Sequence, residues 1–131
     1  MVRLLNRGRL PGAGLLTAVA ALIALPAAAA DPGQGKAVFA SQCSVCHSAA
    51  KGGAAILGPT LFGVVGRPAA SIKGFAYTPG MKAAGFTWTD DRLRAYLPAP
   101  AKLVPGTRMT YPGLKDPVKL ENLIAYLGTL Q

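Results

Sequence analysis

Cys43-Ser44-Val45-Cys46-His47 holds both cysteines and the single histidine of a 131-residue chain. Cys-x-x-Cys-His is the spacing of a c-type haem attachment site. On a helical segment, residues three and four apart share a face, so Cys43, Cys46 and His47 can address one side of a single turn. The two thiols can then form thioethers with the two vinyl groups of a haem. The adjacent imidazole reaches the iron as its proximal ligand. A thioredoxin-like dithiol would want a βαβ pattern around the cysteines, and none is visible. A structural zinc site wants four protein ligands, whereas these residues supply three. A plain disulfide leaves His47 unexplained.

The residues before this motif divide into a leader and a helix. Arg3, Arg7 and Arg9 stand without an acid among them, Leu15 to Leu25 is apolar, and Pro26 to Ala30 ends in small residues. That is the pattern of a secretory signal peptide at 1–30, with cleavage after Ala30 and a domain spanning 31–131. The competing reading is an uncleaved anchor. Leu15–Ala30 is 16 residues, short of the ~20 that span a bilayer, so no stable membrane insertion is expected. Export implies the periplasm as location.

Without the leader, 101 residues remain, enough for one small domain. Removing the three leader arginines from 14 basic residues leaves 11 against five acids, a net charge of +6. Such a surface suits an acidic protein face, acidic lipid or nucleic acid. An exported chain with no recognisable nucleic-acid motif points away from the last of these.

Asp31-Pro32 caps a first helix, with Gly35, Phe39 and Cys43 at four-residue spacing along it. Ala49–Pro59 and Leu61–Ala70 are rich in Gly and Pro and read as loop. A helical turn is expected between Pro79 and Ala84. Thr89 or Asp90 caps a short helix carrying Leu93, Tyr96 and Leu97, which Pro98 ends. A last helix runs from Asp116-Pro117 to Gly128, with Leu120, Leu123, Ile124 and Leu127 as its core-facing stripe. No stretch sustains period-two alternation, so the fold class is all-α.

A haem iron held by His47 alone would keep one position open. Closing it suits electron transfer, because neither redox state then gains or loses a ligand. No second histidine exists, so a methionine sulfur is the natural partner, and Met/His ligation raises the reduction potential. Met81 and Met109 are the choices. Met109 lies in Pro105-Gly106-Thr107-Arg108-Met109-Thr110-Tyr111-Pro112-Gly113, a loop bracketed by turn residues that can lay a side chain across a haem face. Met81 reads as apolar packing in a short turn.

From about Gly35 to Leu127 the chain resembles class I cytochrome c, of the mitochondrial and bacterial cytochrome c2 type. The resemblance rests on Gly35 and Phe39, the Cys43–His47 motif, Gly58-Pro59-Thr60-Leu61, Gly63-Val64-Val65-Gly66-Arg67, Gly74-Phe75-Ala76-Tyr77, Trp88, Tyr96-Leu97, Pro105–Met109 and Leu123–Leu127. It implies one haem c, covalently bound through Cys43 and Cys46, with His47 and Met109 on the iron. It implies that the Pro59 carbonyl accepts a hydrogen bond from the haem-ligating histidine, which fixes the ring. Arg67, Tyr77 and Trp88 match positions that donate to a buried haem propionate, a carboxylate that needs donors once out of water. Thr107 matches a position that reaches a propionate or an ordered water, and Tyr96 one near the ligand sulfur. The first and last helices are expected to cross at Gly35, against Tyr126 and Leu123. Gln42 and Ala101 depart from the resemblance, standing where many relatives carry a lysine on the haem rim. Met81 also departs, replacing a polar residue. Lys102, Arg108 and Lys115 keep a thinner basic rim.

The implied function is a single-haem electron carrier, monomeric and not an enzyme. Its expected partners are redox proteins with acidic docking faces: a bc1-type complex, a terminal oxidase, a photosynthetic reaction centre or a periplasmic dehydrogenase. The basic rim would speed encounter at low salt, through an interface below ~1,200 Å². Two alternatives stand beside it. One is a haem electron-entry subunit of a larger periplasmic dehydrogenase or oxidoreductase complex. The other is a haem peroxidase, which would need an open iron position and a distal acid–base residue.

Overall fold

The computed structural model describes residues 28–131. The leader expected at 1–30 therefore lies almost wholly outside the described residues, of which none forms a helix long and apolar enough to cross a membrane. Five helices follow in order: α1 (Pro32–Gln42), α2 (Pro79–Ala83), α3 (Asp90–Tyr96), α4 (Pro100–Leu103) and α5 (Pro117–Gly128). Among the described residues the only β pairing is an isolated bridge between Pro68 and Thr87. The all-α expectation holds.

Local chemistry accounts for the helix starts. Asp31 accepts hydrogen bonds from Gly33 N at 2.7 Å and Gln34 N at 3.3 Å. Asp116 does the same for Val118 N and Lys119 N at 2.9 and 3.0 Å. In both cases Pro occupies the first turn, where its missing N–H is no loss. Thr78 and Thr89 cap α2 and α3 through their hydroxyls. The α4 turn was not expected. It starts on Pro100 with no side-chain cap, and four residues between two proline-bearing loops leave no periodic pattern to read.

The core is set by α1 crossing α5. Val38 and Phe39 of α1 are buried against Leu120, Leu123, Ile124 and Leu127 of α5. The rings of Phe39 and Tyr126 lie 5.6 Å apart. Gly35 permits the approach, because a Cβ there would strike the Asn122 carbonyl and come within 2.7 Å of Tyr126 Cβ. The nearest backbone is thus the Asn122 carbonyl, one residue before the expected Leu123, with the expected Tyr126 beside it. Its side chain also receives Asp31 N at 2.8 Å, tying the start of α1 to the middle of α5.

The short helix α3 is joined to α5 by charge. Arg94 donates to both oxygens of Glu121, at 2.6 and 2.9 Å, and to Asp91 at 2.5 Å. The Arg94 hydrogen bond holds the Glu121 carboxyl below its ordinary pKa. A carboxylate with a depressed folded pKa adds stability above its unfolded value, and that stability is lost as pH falls through the folded one. Glu121→Gln is therefore expected to lower the melting temperature slightly at pH 7, and the gap should close on acidification. Thermal melts from pH 7 to pH 3 check this. The effect should also shrink in high salt, because the groups are exposed.

Candidate functional site

The Cys43–His47 stretch leaves the helix rather than continuing it. α1 ends at Gln42, and a Ser44 side-chain bond accompanies the end. The Ser44 hydroxyl donates to the Ala40 carbonyl at 2.7 Å, taking the acceptor that Ser44 N would use in a helix. Ser44 N turns instead to Phe39 O at 3.0 Å, alongside Cys43 N at 2.8 Å. One further turn then closes, with Cys46 N and His47 N both donating to Cys43 O at 3.0 and 2.9 Å. The expected sharing of one turn by Cys43, Cys46 and His47 survives, although the turn stands outside α1.

Both cysteines are partly buried and neither is in a disulfide. Burial, then the neighbouring Cys46, pushes the Cys43 thiol up to about 11. It is a protonated thiol at neutral pH, unlike the low-pKa thiolate of a redox dithiol.

His47 is fixed from two sides. Its Nδ1 lies 2.7 Å from the Pro59 carbonyl oxygen. A carbonyl only accepts, so Nδ1 carries the proton and Nε2 presents its lone pair. Desolvation holds the imidazole below its ordinary pKa; the Pro59 contact opposes this and the Arg67 charge assists it. The ring is thus neutral, the form that binds a metal. Gly58 lies against its edge, where a Cβ would come within 2.7 Å of Nδ1 and 2.8 Å of Nε2. Gly58 N donates to Cys46 O at 2.8 Å, so the 56–59 loop is folded back onto the motif.

Across the chain, Met109 has a partner of its own. Tyr96, buried on α3, directs its hydroxyl to Met109 Sδ at 3.4 Å. Burial raises the Tyr96 pKa while the adjacent Thr107 hydroxyl lowers it, so a donating phenol is kept at neutral pH. Thr107 Oγ1 also receives Met109 N at 3.2 Å. Tyr96, Thr107 and Met109 form one cluster; the resemblance places Tyr96 near the sulfur but Thr107 at a propionate or an ordered water. Met81 is packed against the core as apolar filler.

Arg67 and Trp88 are brought together by backbone pairing. Trp88 N donates to Arg67 O at 2.9 Å, and Gly66 N to Trp88 O at 2.7 Å. Trp88 is buried, with Phe86 and Tyr96 edge-on at 4.7 and 4.8 Å between centroids. The Arg67 guanidinium donates to Phe62 O at 2.9 Å and Thr60 O at 2.8 Å. Burial lowers its pKa and the nearby Tyr77 phenol works the other way. Two of its five N–H donors are thereby fixed on carbonyls, leaving others for an anion. Tyr77 Oη receives Ile72 N at 3.3 Å. The carbonyl anchors at Thr60 and Phe62 were not foreseen in the sequence.

This arrangement suits a haem better than a metal bound by protein alone. Among the described residues no group of three or more His, Cys, Asp and Glu could hold an ion. The thiol pair on one turn, the imidazole with a free Nε2 and the capped thioether instead offer two covalent anchors and two iron ligands, one nitrogen and one sulfur. Fold and site therefore define an all-α protein of the c-type haem class.

The comparisons agree with this class. A family model described as Cytochrome c matches residues 33–131. The cytochrome c2 of Blastochloris viridis is 45% identical over 102 residues, 78% of this chain and 80% of that protein. Cytochrome c2 of Rhodopila globiformis is 45% identical over 101 residues, 77% of this chain and 94% of the other. Cytochrome c-550 of Nitrobacter winogradskyi is 39% identical over 98 residues, covering 75% and 89% respectively. The chain belongs to the cytochrome c family. The family binds covalent haem c, and Cys43 and Cys46 have the spacing for it. Its members transfer electrons and are not enzymes.

Proposed function

We propose that this chain is a single-haem electron carrier of the periplasm, exported by the leader at 1–30, with the domain occupying 31–131. When bound, the haem supplies a one-electron couple. Cys43 and Cys46 would anchor it, and His47 Nε2 and Met109 Sδ would bind its iron. Pro59 holds the imidazole in its neutral tautomer. Tyr96 directs the sulfur, and Thr107 shapes the loop beneath it. Arg67, Tyr77 and Trp88 supply donors for propionate carboxylates.

The observation that carries this reading is the matched pair of contacts, His47 Nδ1 to Pro59 O at 2.7 Å and Tyr96 Oη to Met109 Sδ at 3.4 Å. Each constrains a candidate iron ligand from behind. The same contacts support a carrier over a peroxidase, since a thioether with a fixed hydrogen-bond partner is available as the second iron ligand.

Lys102, Arg108 and Lys115 are exposed. Arg108 donates to the Ala76 carbonyl and Lys115 to the Pro98 carbonyl, so these charges are held at defined places. They support docking to redox proteins with acidic faces, such as a bc1-type complex, an oxidase, a reaction centre or a dehydrogenase.

Visible spectroscopy of the exported protein tests the ligation. The oxidised parent should show the weak red absorption of sulfur-to-iron charge transfer. Met109→Ala should abolish that band and lower the reduction potential. Met81→Leu should leave both unchanged. Loss of the band in Met81→Leu, with retention in Met109→Ala, would reverse the assignment.

A further inference from the structure

The loop carrying Met109 is held mostly by its own side of the molecule. Thr107 N donates to Val104 O, Met109 N to Thr107 Oγ1, and Leu114 N to Leu97 O. Tyr96 reaches the sulfur from α3, and Arg108 reaches Ala76. Every one of these contacts joins the loop to residues between 76 and 114. None joins it to the half that bears Cys43, Cys46 and His47.

One contact does. Tyr111 Oη donates to Gln42 Oε1 at 2.5 Å, partly buried and between residues 69 apart in sequence. Gln42 is the last residue of α1 and the immediate neighbour of Cys43. Tyr111 lies two residues past Met109. Gln42 Oε1 is an acceptor, which a lysine at this position would not provide.

We infer that Tyr111 and Gln42 form a latch that keeps the Met109 loop closed over the site, acting as positioning residues for the axial sulfur. The inference rests on the reading of Met109 as the iron ligand. A loop tied on one side only can swing away and give up its ligand. A hydrogen bond across the site removes part of that freedom without touching the iron.

The affinity of the oxidised holoprotein for added imidazole measures loop opening, because imidazole takes the iron position only when the sulfur has left it. Its apparent affinity scales with the open fraction. Loss of one neutral hydrogen bond should raise that affinity roughly 3- to 10-fold in Tyr111→Phe and in Gln42→Ala. The double variant should bind no more tightly than either single one, as two halves of one contact must. Gln42→Glu, which keeps an acceptor, should return the affinity toward the parent value.

Backbone amide exchange provides a second readout. Thr110 and Tyr111 amides should exchange faster in Tyr111→Phe, while Leu123 and Leu127 in α5 keep the parent rates. Unchanged imidazole affinity in Tyr111→Phe, additive effects in the double variant, or equal acceleration in α5 would each overturn the latch. Met109→Ala separates this from a failure of the ligand reading. If it binds imidazole far more tightly than the parent while Tyr111→Phe does not, the latch alone falls. If Met109→Ala matches the parent, the ligand assignment falls with it.

Discussion

Haem-free protein made by replacing both attachment residues, Cys43→Ala with Cys46→Ala, is expected to show no cooperative thermal transition at neutral pH. The buried hydrophobic residues lie mainly along α1, α3 and α5 and in the loops that pack on them. Around the site, Leu61, Phe62, Val65, Met81, Leu103, Met109 and Tyr111 are only partly buried. Those side chains form half a core, completed by what they close upon. Five helices, two of them four or five residues long, leave most of the described chain in loops that no ladder supports. A small domain has only ~5–15 kcal/mol of stability to lose. A cofactor that binds the folded state alone contributes to that total by mass action. Its removal also releases the two ligand-bearing loops from their common centre. Circular dichroism would check this, with near-UV signal lost and far-UV helicity reduced to a remnant from α1 and α5. A sharp melt with a native-like near-UV spectrum would show that the polypeptide folds unaided.

What could be read from the chain beforehand was local in origin. Asp31-Pro32 and Asp116-Pro117 announce two helix starts because the cap acceptor and the proline act on the next three residues only. The stripe at Leu120, Leu123, Ile124 and Leu127 follows from helical period, and all four are buried. The Cys43–His47 motif declares its chemistry through spacing. Gly128, expected to stop α5, is its last helical residue; Thr129 ends the helix in an ordinary helical conformation.

The features that escaped involve competition or distance. α1 ends before the motif, with the Ser44 hydroxyl on the Ala40 carbonyl, an outcome that periodicity does not register. Arg94 finds Glu121 across 27 residues and Tyr111 finds Gln42 across 69. Nothing in the local pattern marks such pairs, because exposed arginines and glutamines suit any surface. Arg67 shows both sides. Its place beside Trp88 and Tyr77 was legible through resemblance, whereas its grip on the Thr60 and Phe62 carbonyls comes from a loop whose path only the structure supplies. Those bonds fix two of the guanidinium's N–H donors and leave the others for a further acceptor.

Gly35→Ala is expected to destabilise the haem-loaded protein by about 2 kcal/mol, and Gly35→Val by more. The balance has two opposing parts. Alanine improves intrinsic helix preference by ~1 kcal/mol. Against it, the new Cβ would overlap the Asn122 carbonyl and sit 2.7 Å from Tyr126 Cβ. Overpacking of a close interface costs typically ~1–3 kcal/mol and occasionally more. Here the obstructing atoms are a backbone carbonyl and the root of a side chain, neither of which can rotate aside, so the upper end applies. The helices must separate, which lengthens the Phe39–Tyr126 contact and strains the Asp31–Asn122 hydrogen bond. For a domain of about 100 residues, each kcal/mol lowers the midpoint by roughly 4–8 °C, a shift easily read in a thermal melt. Gly33→Ala supplies the comparison within the same helix, since its Cβ would meet only the Asp31 side-chain oxygen, at 3.1 Å. That variant should differ from the parent by less than ~1 kcal/mol. Equal effects at the two positions would mean that glycine at 35 is not required by the crossing of α1 and α5.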